Sequence, residues 1–236
     1  MSRHTLSALL AALAAVLAGP AHSDDARDCV QAKDRETSIR ACTELLRQQP
    51  MNVVAYNHRG NGYRAAGNYD LAIADHTKAI ELDPRFALAY NSRCADFTSK
   101  GDYDAAIADC SKAIELHPKY AAAYFNRGIA SGRKGDFDRA IADHGRSISL
   151  NPRYAKAYNG RAWAYLKAGD KVQAMADVQR ALELAADDAA ALDTRAHIFE
   201  AMKKRNEAIS DFRQALLKDP SLQSSLDGLK RLGAKP

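Results

Sequence analysis

The chain has 236 residues, of which 47% are apolar and 27% charged, and its formal net charge is +5. This composition is typical of a folded protein and excludes wholesale disorder. Basic and acidic residues are interleaved along the chain without the clustered Lys and Arg run or aromatic alternation typical of nucleic-acid binding, which argues against DNA or RNA as a partner.

Residues 1–23 predict a signal peptide. Arg3 precedes an apolar run over residues 6–18, and Ala21 and Ser23 supply the small residues of a cleavage site. A run of about 13 residues, at about 1.5 Å per residue, is too short to cross about 30 Å of hydrocarbon. We expect cleavage after Ser23 and no membrane span afterwards.

Residues 24–50 have the pattern of a degenerate half-repeat. Ile39, Cys42, Leu45 and Leu46 share one helix face before Pro50, whereas the preceding helix, from about residue 24 to 33, is short. Two short helices are therefore expected here.

Residues 51–220 contain five copies of a 34-residue pattern. The fourth place is aromatic or Leu, the eighth is small and the twentieth is Ala, as in Tyr124, Gly128 and Ala140 of the third copy. Each copy predicts two helices, with a glycine that ends the first and an Asn or Asp that caps the second. This turn is formed by the pairs Gly67–Asn68, Gly101–Asp102, Gly135–Asp136 and Gly169–Asp170.

Prolines follow the second helices on the same 34-residue grid, and Ala186 takes the one missing place. Proline suits the first turn of a helix, where no amide donor is required, so these prolines are expected to open the following helix. The fifth copy has Lys203-Lys204-Arg205 in place of the glycine turn, and the pattern does not specify that turn.

These features resemble the tetratricopeptide repeat, whose aromatic, small, alanine and proline places match residues 53–220. The resemblance implies an all-α, right-handed solenoid of antiparallel helix pairs. Residues 221–236 then form a capping helix and tail, with Leu222, Leu226 and Leu229 on its apolar side.

Arg and Asp recur at one place each in all five copies. Each Arg shares a helix face with packing residues, so its guanidinium needs a carboxylate partner, and one Asp per copy supplies it. A structural ion pair between helices is favoured over ligand binding. The expected pairs are Arg59–Asp75, Arg93–Asp109, Arg127–Asp143, Arg161–Asp177 and Arg195–Asp211.

Four cysteines behind a signal peptide indicate an oxidising compartment. Cys29 and Cys42 lie on the two helices of the half-repeat, and a disulfide between them would hold that short hairpin together. The pair resembles one in secreted repeat proteins of alphaproteobacteria, which implies a periplasmic location. Cys94 and Cys110 form a possible second disulfide, but two buried free thiols explain them equally well.

No catalytic, cofactor or metal motif is present in the sequence. His76 and His144 occupy a place that holds Cys, Val or Phe in the other copies, so we expect them to be core side chains. The chain is therefore interpreted as non-enzymatic.

The resemblance implies that the first helix of each copy lines a concave groove for a partner. Trp163 either anchors this partner or packs on the next repeat. The expected lining residues are Asn57, Asn61, Arg64, Asn91, Thr98, Phe125, Asn126, Ile129, Arg133, Lys156, Asn159, Trp163, Lys167 and His197.

Some members of the family bind chaperone tails through a fixed set of cations and asparagines. Lys156 matches one place of that set, but Gly160 stands where another cation is required, so this partner is disfavoured. The predicted function is a periplasmic scaffold that binds a segment of another protein. The alternative is an accessory subunit of a cell-envelope enzyme or assembly complex. A monomer is expected.

Overall fold

The computed structural model describes residues 21–32 and 34–236, so most of the predicted signal peptide lies outside the described residues. Among these residues, thirteen α-helices and no strands occur, which confirms the all-α class. The chain divides into two compact units, residues 1–100 and 101–236, and the division falls inside the second repeat.

The first unit contains five helices. Each is joined to the next by a short turn and packs against it. They are α1 (Ala21–Gln31), α2 (Arg35–Gln48), α3 (Val53–Ala65), α4 (Tyr69–Leu82) and α5 (Ala87–Lys100).

The second unit contains eight helices, and from α6 to α13 each packs against the next. They are α6 (Tyr103–Leu116), α7 (Ala121–Lys134), α8 (Phe137–Leu150), α9 (Ala155–Ala168), α10 (Lys171–Leu184), α11 (Ala189–Ala201), α12 (Arg205–Lys218) and α13 (Gln223–Arg231).

The glycine turn forms as predicted between α7 and α8. Gly135 has a φ of 94°, a left-handed conformation that costs glycine little, and the Asp136 side chain accepts a hydrogen bond of 3.1 Å from the Arg139 amide. In the fifth repeat Lys203 adopts the same conformation, with a φ of 62°. Asn68 takes the predicted N-cap position of α4, but its side chain makes no capping hydrogen bond, so that part of the prediction was wrong.

The expectation that the prolines open the following helix was also wrong. Pro118 follows the C-cap residue His117, and α7 begins only at Ala121. The Tyr120 amide donates to the His117 carbonyl at 3.0 Å, so proline occupies the second position of a four-residue turn. Its fixed φ of about −65° suits that position. The same turn occurs at Ala186, where the Asp188 amide donates to the Ala185 carbonyl at 3.2 Å.

Four of the predicted Arg–Asp pairs lie within a single unit and are present. In the second unit Arg127 donates two hydrogen bonds to Asp143, of 2.7 and 2.8 Å, from α7 to α8. The equivalent bonds join Arg59 to Asp75, Arg161 to Asp177 and Arg195 to Asp211. Arg93 and Asp109 belong to different units, and their pairing stays a prediction.

The half-repeat contains the predicted disulfide between Cys29 of α1 and Cys42 of α2, and both sulfurs are buried. The bridge joins two helices that have only a small shared core. Cys94 and Cys110 are also buried, one in each unit, and their pairing stays a prediction.

At the C-terminal end of the second unit, α13 packs on α12. A Cβ atom on Gly228 would lie 2.4 Å from the Phe212 ring, so only glycine permits this approach. Leu229 is fully buried in the same cluster, whereas Leu222 and Leu226 are partly exposed.

Candidate functional site

The second unit has a groove of about 740 Å³ along the first helix of each of its helix pairs. The turns described above align α7, α9 and α11 side by side, and α8 supplies the floor. Six of the residues predicted from the sequence line this groove, namely Phe125, Ile129, Arg133, Lys156, Asn159 and Trp163.

His144 of α8 forms the floor, and its side chain is 2% exposed. The ring lies between two helix backbones, because a Cβ atom on either Gly128 or Gly160 would be 2.8 Å from it. Burial and, to a smaller extent, the positive charge of Arg161 lower the pKa of His144 to about 4. The imidazole is therefore neutral at pH 7 and carries one N–H donor.

Two polar atoms at the groove lack a hydrogen-bond partner among the described residues. They are Nδ1 of His144 and the amide oxygen Oδ1 of Asn159. Buried polar groups are nearly always paired in folded proteins, and an unmet one costs about 1–3 kcal/mol. Both atoms are buried, so a ligand gains these hydrogen bonds only by displacing the atoms that cover them.

The two carboxylates of the groove already have partners. Asp188 accepts from the Ala191 amide at 3.0 Å, which caps α11. Asp193 accepts from the hydroxyls of Ser224 and Ser225, at 2.9 and 2.6 Å. The exposed cations Arg133 and Lys156 are thus the more available charges.

Trp163 packs on the next repeat, and its role as an anchor for a partner stays a prediction. Its ring lines the groove and also meets the His197 ring of the next repeat edge-on, at 5.5 Å between centroids. Lys167 Nζ lies 4.6 Å from the Trp163 centroid, and both Lys167 and His197 line a neighbouring cavity of about 330 Å³. Burial lowers the pKa of His197, which Asp193 partly offsets.

Two of the predicted lining residues of the first unit bond to each other. Arg64 donates to Asn61 Oδ1 at 2.8 Å and to the Ser92 carbonyl at 3.1 Å. Asn57 is completely buried, and its carbonyl lies 3.3 Å from the His76 ring, so its side chain is not the exposed contact that was expected. Asn91 and Thr98 are also buried.

Sequence reasoning missed the contribution of the second helices and of the C-terminal segment. His144, Leu222 and Ser224 line the groove, whereas the predicted Asn126 does not. The available signal was the exchange of an apolar residue for His at a packing place, which was interpreted only as core packing.

The described part of the chain contains no cluster of His, Cys, Asp or Glu that could hold a metal ion. Within residues 21–32 and 34–236, no helix has the length and apolar character needed to cross a membrane. The groove offers apolar surface, two aromatic side chains and polar atoms without a partner among the described residues, a combination suited to binding a segment of another molecule.

Several solved structures share this fold. A chain of the APC/C hetero-tetramer Cut9–Hcn1 has a TM-score of 0.76 at 20% identity, over 84% of the present chain and 39% of its own, so the present chain spans well under half of its length. PilW, described as a widely conserved type IV pilus biogenesis factor, has a TM-score of 0.76 at 20% identity, over 90% and 100% of the two chains. MamA is 30% identical over 64% of this chain and 88% of its own, with a TM-score of 0.56.

No curated protein gives a significant match to the chain. Models described as tetratricopeptide repeat match residues 53–86, 132–189 and 189–221, and a model described as TPR repeat matches residues 96–135. Together these matches extend over more than half of the sequence and agree with the helix pairs of both units. The chain therefore belongs to the tetratricopeptide-repeat proteins.

Proposed function

We propose that the chain is a non-enzymatic scaffold of the periplasm that holds a segment of a partner protein in the groove of its second unit. The observation that carries the proposal is the groove itself. Trp163 and Phe125 supply apolar contact area, and Asn159 Oδ1 is an acceptor without a partner among the described residues. An extended peptide backbone can donate its N–H groups to such an acceptor.

The periplasmic location is supported by the disulfide between Cys29 and Cys42. Disulfides persist in oxidising compartments and are rare in the cytosol. The apolar run at residues 6–18 points the same way. Determining the first residue of the protein recovered from the periplasm, together with its mass before and after reduction, tests the location directly.

The binding role is tested by cross-linking the tagged chain to its partners in cells and comparing variants. Trp163→Ala removes the anchor, and Asn159→Ala removes the acceptor. Both are expected to reduce the recovery of a specific partner by about tenfold, since loss of one good contact of about 1.4 kcal/mol has this effect. Val172→Ala, at a side chain that is 74% exposed and outside the groove, serves as the matched control.

A second candidate is an accessory subunit that docks through the end of the second unit. Leu217 there is 81% exposed and borders a cavity of about 430 Å³ formed with Leu216, Pro220 and Leu226. A large exposed apolar side chain beside such a cavity is favourable for a protein contact. Loss of the partner in Leu217→Ser, with full recovery in Trp163→Ala, would select this candidate and refute groove binding.

A further inference from the structure

The first unit contains a buried polar cluster around His76. Nδ1 of His76 lies 2.6 Å from Asp96 Oδ2, and both side chains are completely buried. Arg64 contacts the other oxygen of Asp96 at 3.4 Å and donates to the Ser92 carbonyl at 3.1 Å. Thus the histidine of this packing place has a carboxylate partner inside the protein.

The second unit repeats this arrangement without the partner. Equivalent positions two repeats apart are separated by 68 residues, so His144 is the counterpart of His76 and Ala164 is the counterpart of Asp96. By the same spacing Arg64 and Ser92 correspond to Gly132 and Gly160. His144, Ala164, Gly132 and Gly160 all line the groove. The groove therefore lies where the first unit has its buried polar cluster.

Asn57 and Asn61 of the first unit correspond in the same way to Phe125 and Ile129, which also line the groove. A buried asparagine and one that bonds to Arg64 have been replaced by apolar residues that line an open surface. His144 alone is retained, and its Nδ1 has no hydrogen-bond partner in the part of the chain that the structure describes.

We propose that the groove receives an acidic side chain of the partner segment, whose carboxylate accepts a hydrogen bond from Nδ1 of His144 beside Ala164. This inference rests on the proposed function and specifies the chemistry of the partner. It places the ligand carboxylate where Asp96 lies beside His76.

Two exposed cations, Arg133 and Lys156, line the groove and can attract an anion. Arg161 also lies close enough to His144 to lower its pKa, although its guanidinium is paired with Asp177. The carboxylates of Asp188 and Asp193 are held by the helix cap and by the two serine hydroxyls described above. Phe125, Ile129 and Trp163 provide apolar contacts for the residues that flank the acidic side chain in an extended peptide.

The test uses the chain's single tryptophan, because Trp163 lies in the groove. Its fluorescence is followed during titration with the peptide acetyl-Ala-Leu-Glu-Leu-Ala-amide and with the same peptide carrying Gln in place of Glu. A hydrogen bond to a charged group is expected to make the Glu peptide bind about tenfold more tightly. Concentrations up to about 10 mM cover the range expected for a short ligand.

Two variants examine the source of this preference. In His144→Phe the donor is absent while the place keeps a ring, as Phe212 does in the fifth repeat, so both peptides should bind equally. In Ala164→Asp an internal carboxylate takes the proposed position, and the Glu peptide should lose its advantage. Circular dichroism establishes that each variant is folded.

In the unchanged chain the ¹⁵N resonance of His144 Nδ1 should shift with the Glu peptide and not with the Gln peptide. This measurement decides the question even if a variant fails to fold. The inference is overturned by equal binding of the two peptides, by a preference that survives in His144→Phe, or by no binding of either. Equal binding of both peptides that is lost in Trp163→Ala, measured by titration calorimetry because this variant has no tryptophan, would leave the proposed function standing and refute the carboxylate alone.

Discussion

Replacing Arg127 by alanine removes the guanidinium from a pair that joins α7 to α8. The two hydrogen bonds to Asp143 are 2.7 and 2.8 Å, and the side chains are 18% and 6% exposed for Arg127 and Asp143. Among the described residues, the remaining carboxylate keeps a long contact with Arg139, at 3.9 Å. The variant therefore leaves a nearly buried charge without its main partner.

Loss of one partner from a fully buried pair costs about 3–5 kcal/mol. The partial exposure of Arg127 and the contact with Arg139 reduce this, so we expect a loss of about 2–3 kcal/mol in the free energy of unfolding. For a unit of this size the midpoint of thermal unfolding should fall by roughly 6–12 °C. Calorimetry and urea unfolding measure both quantities.

Lys134→Ala is the matched control on the same helix. It breaks an ion pair with Asp104 whose side chains are 48% and 80% exposed, and such surface pairs contribute about 0.5 kcal/mol or less. A double-mutant cycle with Asp143→Ala should give a coupling of about 2 kcal/mol. If Arg127→Ala destabilised the protein no more than Lys134→Ala does, the structural interpretation of the repeated pairs would be refuted.

Three further outcomes are expected. Lys203→Gly should raise the free energy of unfolding by about 0.5–1 kcal/mol in urea titrations, because Lys203 holds a left-handed conformation that glycine adopts without strain; a loss of stability would contradict this. Reducing the Cys29–Cys42 disulfide should destabilise the helix pair α1–α2 by about 3 kcal/mol, since the bridge closes a loop of 13 residues. The rate of amide hydrogen exchange in α1 should then rise far more than the rate in α8. The pKa of His144 is lowered to about 4, so below about pH 6.5 the unfolded chain binds a proton that the folded chain does not. The free energy of unfolding should therefore fall by about 3 kcal/mol between pH 7 and pH 4 because of this residue. Calorimetry of His144→Phe should show a smaller decline over the same pH range, and an identical decline would exclude His144 as the cause.

The sequence predicted the features that are complete within one repeat. The glycine turn, the aspartate caps and the Arg–Asp pairs each depend on residues at constant spacing, so several copies report the same local structure; the glycine turn, for example, forms in four of them. The prolines were placed in the wrong turn because the sequence gives their spacing but not where α7 begins after Pro118.

The groove was harder to predict because it depends on differences between repeats. Every first helix was given a lining role, although Arg64 and Asn61 satisfy one another inside the first unit. The role of His144 depends on Ala164, a residue of the next repeat, and a change from Asp to Ala draws little attention in a single sequence. The packing of α8 against α9 places Ala164 beside His144, and this packing shows that the change from Asp to Ala leaves an open surface.

Binding of a partner segment in the groove of the second unit is tested most directly by photo-cross-linking in cells. A photoreactive amino acid is placed at Ile129, which lines the groove, or at Val172, which lies outside it. We predict that the Ile129 position yields a cross-link to one defined peptide of a partner, identified by mass spectrometry, and that Val172 does not. Equal cross-linking at both positions, or a defined partner peptide at Val172 alone, would contradict the account.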